Sequence, residues 1–184
     1  VTPLVAACLS SLGTIASIAH GDRLPQTRTE HEPVRECQIA IMLVASDGSP
    51  VARAIDANTG GMGWTHCFID PCRVDADGHR MVIGYTVANG VHWSTLDGYK
   101  SDRKRARIEL DARTGAEVWG CARARLGKPL RVSSLVLGVP SAATCVGLVL
   151  ECLPFRMQQA LRARQIGPCI SPNTLAAFFR VGAA

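Results

Sequence analysis

Two residue types capable of covalent chemistry stand out, far apart along the chain: Cys145 and His66. Cys145 opens the run CVGLVLEC, which carries apolar residues at helical spacing behind Ser141 and Thr144. A cysteine in the first turn of a helix meets unpaired backbone N–H groups and the positive end of the helix dipole, and both favour its thiolate. Those N–H groups can also hold a developing oxyanion, which points to Thr144 and Val146 as the substrate-facing neighbours. His66 lies in WTHCFID, where strand alternation puts His66, Phe68 and Asp70 on one face. An imidazole in an apolar strand needs a polar partner, and a thiol would serve as one. Together they would supply a nucleophile and a base for acyl transfer. Taken alone, Cys145 reads as a small core residue and His66 as a satisfied structural histidine. His92, also in a strand, is the reserve base. His20, His31 and His79 fall in polar or turn contexts.

The elements that must position this pair follow from the pattern. Cys37 to Ala45 is a continuous apolar run that suits a buried strand, closed by Asp47-Gly48. Ser49-Pro50 supplies an N-cap and a first helical residue, and Gly60-Gly61 ends that helix. Trp64 to Ile69 and Arg80 to Val87 are strands joined by the turn at Asp75–Gly78, and Asn89-Gly90 turns into Val91–Ser94. Ile108–Leu110 is a further short strand. Thr114-Gly-Ala-Glu117 has capping-box spacing and predicts a helix to Leu126, with Gly127 as its cap. Ser171-Pro172 opens a last helix over Asn173–Arg180. The fold class is α+β: a small antiparallel sheet packed with helices.

Composition bounds the rest. Apolar residues make up 47% and aromatics 5%, so the core rests on aliphatic side chains. The length of 184 residues suits one domain, residues 37–184, behind an N-terminal segment and linker, residues 1–36. Val5-Ala-Ala-Cys8 resembles a lipoprotein cleavage site. An export signal or lipid anchor is thus a minority reading beside an ordinary helix or irregular start, and a cytoplasmic location is slightly favoured. No run is long and apolar enough to predict a spanning helix. The formal charge of +5 is a mild bias towards anionic partners. The basic stretch Lys100–Arg107 reads as a solvated loop, with a patch for an anionic polymer or lipid headgroup as the alternative, and without interleaved aromatics it does not predict nucleic-acid binding. The eight cysteines show no CxxC pair and no zinc spacing, so mostly free thiols and no metal site are expected. Cys67 should point away from His66 as core filling. The DPCRVDADG segment lacks the ligand set of a calcium loop and reads as a turn.

From residue 37 onward the motifs resemble the circularly permuted NlpC/P60 group of papain-like cysteine hydrolases, which includes YiiX-like and LRAT-like proteins. The segments that carry the resemblance are IAIMLVASDG, SPVARAIDANTGG, WTHCFID, MVIGYTVANGV, CARARLGKP, TCVGLV and ISPNTL, in permuted order with histidine before cysteine. The resemblance implies a permuted papain-like fold. It implies a cysteine peptidase or amidase that cleaves an amide or ester with Cys145 and His66 and needs no cofactor. Its substrate would be a peptidoglycan-type peptide or a lipidic acyl compound, and an anionic cell-wall polymer or lipid would be its partner. Such proteins place a polar residue on the third strand to orient the histidine, near Gly84-Tyr85 here. Neither residue is the usual one. Tyr85 and Thr86 lead as substitutes, with Asn89 or a water behind them. A slow enzyme, or an inactive binding module on the same fold, is the alternative.

Overall fold

The computed structural model of the chain describes residues 37–45, 48, 53, 56–57, 61–86, 89–98, 104–128, 145–164 and 170–183. These include five strands: β1 (Ala40–Ala45), β2 (Trp64–Val74), β3 (Arg80–Thr86), β4 (Gly90–Thr95) and β5 (Arg105–Glu109). Four helices accompany them: α1 (Ala112–Arg125), α2 (Cys145–Cys152), α3 (Phe155–Ala163) and α4 (Pro172–Phe178). The strands form one antiparallel sheet in the order β4-β3-β2-β1-β5, so β2 is central. The α+β reading therefore holds.

Alternation sorts the strand residues onto two faces. Ile41, Leu43, Cys67, Ile69, Ile83 and Val91 join the main core, which α1, α2 and α4 complete through Val118, Val149 and Leu175 among others. Met42, Val44, Phe68, Val82 and Leu96 form a smaller cluster on the opposite face. Burying aliphatic side chains of this size contributes roughly 1.5–3 kcal/mol each, which offsets the backbone entropy of ordering the sheet.

β2 is irregular at two places. Val44 pairs with His66 but Ala45 pairs with Trp64, so Thr65 is an extra residue in a β-bulge. Further along, Ile69 pairs with Ile83 and Arg73 with Met81, leaving two more residues on β2 than on β3. Pro71, which has no N–H to give a ladder, sits in this second irregularity, and Cys72 there adopts φ 61°. The Asp70 carboxylate takes the Cys72 N–H at 2.9 Å and steadies the turn of the chain. Asp70 is fully buried and is neutralised by Arg80 at 2.8 Å and Arg107 at 3.2 Å. Arg107 also meets Glu109 and the Gln38 carbonyl.

Several sequence expectations need correction. α1 starts at Ala112 rather than at a Thr114–Glu117 capping box. Asp111 is its N-cap and accepts the Thr114 N–H at 3.0 Å, because the carboxylate ahead of the helix reaches the N3 donor first. β5 is Arg105–Glu109, so part of the basic stretch is strand and not loop. Its cations have internal partners: Lys104 reaches the Ala183 carbonyl at 2.7 Å and Arg105 that of Leu96 at 3.0 Å. The expectation of mostly free thiols also fails, since Cys37 pairs with Cys72 and Cys121 with Cys152 as disulfides. Connectivity of this kind is a property of tertiary proximity, which residue spacing does not encode. Residues 1–36, Asp47, Ser49–Pro50, Asn58–Gly60, Val87, Lys100–Arg103 and Thr144, for which the sequence raises expectations, lie outside the described residues. The turn at Asp75–Gly78 is as expected, with Asp75 accepting the N–H groups of Asp77 and His79.

Candidate active site

The site is assembled at the N-terminal half of β2. Four hydrogen bonds fix where that half lies. The Asn173 side chain, buried at the start of α4, accepts the Trp64 N–H at 2.9 Å and donates to Asp56 at 2.9 Å. Asp56 in turn accepts the Gly63 N–H. The Trp64 indole donates to the Gly182 carbonyl at 2.9 Å. α4 itself is held by a capping box between Ser171 and Thr174, with Pro172 as its first residue. Asp56 is in helical conformation and Gly61, at φ 64°, sits beyond it with its N–H on the Asp56 carbonyl. Two residues on from Trp64 stands His66.

α2 brings in the thiol. The helix is apolar almost throughout and lays Val146, Leu148, Val149 and Leu150 into the main core, against β2 and α1. Cys145, its first residue, is half-buried and remains a free thiol. Its sulfur accepts a hydrogen bond from the Cys67 thiol, is bonded to the His66 side chain, and accepts the Cys67 backbone N–H. These contacts hold the Cys145 thiol well below the usual thiol range: the Cys67 hydrogen bond contributes most, and the His66 charge adds to it against the cost of burial. The same environment pushes the Cys67 thiol well up, through burial first and the neighbouring Cys145 second. The thiolate is thus on Cys145, and Cys67 keeps its proton and donates it.

His66 and Cys67 are consecutive and face opposite ways, as expected from alternation, yet both reach Cys145. Close by lie the bulge at Thr65 and the end of the registered β2–β3 ladder at Ile69, and the Cys67 N–H reaches the Cys145 sulfur. The Phe68 ring packs edge-on against the imidazole, centroids 4.4 Å apart. On its other side, a side chain at Gly84 would stand 2.9 Å from the Phe68 ring. The space beside Gly84, near which the resemblance places an orienting residue, is therefore taken by the Phe68 ring from β2.

The remaining sequence candidates are placed as follows. Tyr85 packs at the main core, and burial raises its phenol. The Thr86 hydroxyl accepts the Asn89 N–H at 3.2 Å. Val146 is buried beside Cys145, and its N–H belongs to the first turn of α2. His92 faces its own turn, Nδ1 at 2.9 Å from the Gly90 carbonyl. Sequence reasoning missed the part of Cys67, because alternation told only that it points away from His66 and not that α2 lies on that side. It also missed Asn173 and Asp56, whose tie to Trp64 is visible only once distant segments meet. Asp75, Asp77 and His79 converge in an exposed turn, where the Asp75 carboxylate serves the turn's backbone and His79.

Comparison with family models, with curated proteins and with solved structures finds no match for this chain. No helix among the described residues is long and apolar enough to cross a membrane.

Proposed function

We propose that the protein is a cysteine hydrolase of the peptidase or amidase type, with Cys145 as nucleophile and His66 as its acid–base partner. The observation that carries the reading is the hydrogen-bonded Cys145–His66 pair at the start of a helix, whose surroundings lower the thiol well below its ordinary range. The thiolate attacks an amide or ester carbonyl, and the oxyanion collects N–H donors from the first turn of α2, including that of Val146. His66, protonated in the ion pair, gives its proton to the leaving amine or alcohol. The neutral imidazole then draws a proton from water, which attacks the thioester and releases the acid. No metal or organic cofactor enters this scheme.

The permuted papain-like arrangement and the NlpC/P60 resemblance are part of the same proposal. A central strand bearing histidine, packed under a helix bearing cysteine, is compatible with both. Peptidoglycan-type peptides or acyl lipids are the substrate classes to try first. The two disulfides favour an oxidising compartment over the cytoplasm.

The test is hydrolysis of a panel of peptide amides and acyl esters by the wild-type chain and by Cys145→Ala. Cleavage by the wild type that disappears in the variant, with unchanged circular dichroism, is the expected result. A wild-type chain that alkylates slowly at Cys145 at neutral pH and cleaves nothing in the panel would favour the binding-module reading.

A further inference from the structure

Nothing in acyl transfer requires a second thiol at the nucleophile, yet Cys67 is there. It is fully buried on the core face of β2, with its sulfur hydrogen-bonded to that of Cys145. An aliphatic side chain would fill that place without putting a thiol beside a thiolate. Cys145 is half-buried, whereas Cys67 is fully buried. The chain also holds two closed cystines elsewhere. Thus, among the described cysteines, Cys67 and Cys145 are the two left reduced, and they touch.

We propose that Cys145 and Cys67 form a redox-active dithiol, which a small disulfide oxidises to an internal Cys67–Cys145 disulfide. The proposal rests on the contact between the two sulfurs and stands whether or not the protein cleaves amides. The partition of reactivity suits thiol–disulfide exchange, which needs an accessible thiolate to attack and a second, protected thiol to resolve. The Cys145 thiolate attacks one sulfur of a disulfide RSSR, forming the bond Cys145–S–SR. The departing RS⁻ takes the proton of the His66 imidazolium and leaves as RSH. Cys67 then attacks the Cys145 sulfur, the bond to SR breaks, and the second RS leaves with the Cys67 proton as RSH. RSSR is reduced to two RSH, and the protein dithiol is oxidised to one disulfide. In that form Cys145 has no nucleophile, so any hydrolysis it performs stops until a thiol reverses the exchange.

Oxidised glutathione is the probe, applied to the full chain with its other two disulfides formed. Intact mass and peptide mapping are read together with iodoacetamide labelling of Cys145. The wild type should lose two hydrogens, yield a linked Cys67–Cys145 peptide, stop labelling at Cys145 and recover with reduced glutathione. Cys67→Ala, or Cys67→Ser if alanine does not fold, should halt at Cys145 carrying one glutathione. A wild-type product that stays as the Cys145 glutathione adduct, or links Cys145 to any cysteine other than Cys67, overturns the proposal. Loss of hydrolysis with intact exchange, or the reverse, separates this proposal from the hydrolase reading.

Discussion

Three side chains carry the proposed chemistry: Cys145, His66 and Cys67. Because Cys67 and His66 both lower the Cys145 thiol, its thiolate should persist well below the ordinary thiol range. Iodoacetamide alkylation of Cys145 should therefore stay level as pH falls from 8 towards acid, where an ordinary thiol near pH 8.5 would slow about tenfold per unit. His66→Ala removes the charge and should slow alkylation at neutral pH roughly tenfold, and hydrolysis by roughly 10²–10⁴-fold, as loss of an acid–base group does. An unchanged alkylation rate would remove His66 from the pair. The sign for stability follows the same shift. A folded thiol depressed below its unfolded value of 9.0 stabilises the native state at alkaline pH, and that contribution is lost as pH falls through the folded value. The two residues of the proposed nucleophile–base pair were legible in the sequence because each carried a local signal: a polar ring in an apolar strand, a thiol at a helix start. Cys67 carried none, since a buried cysteine in a strand looks the same whether or not a thiolate lies above it.

At the scale of elements, β2 and the pieces that hold it matter most. Gly84 lets the Phe68 ring approach β3, and Phe68 flanks the imidazole. Gly84→Ala should push the Phe68 ring, cost about 1–3 kcal/mol in urea unfolding, and lower the alkylation rate of Cys145 beyond what unfolding explains. If stability falls but the rate of the folded fraction does not, Phe68 only fills space. Asn173→Ala should leave the buried Trp64 N–H without its acceptor and cost about 1–3 kcal/mol, measured by the same unfolding curve. The strands and α4 were readable from period, turns and the Ser171-Pro172 signal. The cap of α1 was not, because Thr114–Glu117 and Asp111 both satisfy cap chemistry, and only the register of Leu110 with the Ile39 carbonyl sets which is used.

For the whole molecule, the two disulfides tie the elements of the candidate site to their neighbours. Cys37–Cys72 joins the lead into β1 to β2, and Cys121–Cys152 joins α1 to α2. Reducing either should lower stability by about 2–4 kcal/mol, seen as a fall in Tm with reductant. A Tm unmoved by strong reductant would contradict both. The α+β architecture could be read in advance because alternation and helical period are local. The pairing of cysteines could not, since it depends on chain segments more than thirty residues apart coming together.

Thr65 offers a last consequence. It is the one residue by which β2 exceeds β1 between Trp64 and His66. Removing it would leave Trp64, Cys67 and Phe68 on their present sides, so packing does not demand it. What the extra residue changes is aim: like a shim under a joint, it tilts a ring without altering which wall the ring stands on. A deletion of Thr65 is thus a variant in which folding and reactivity should part company.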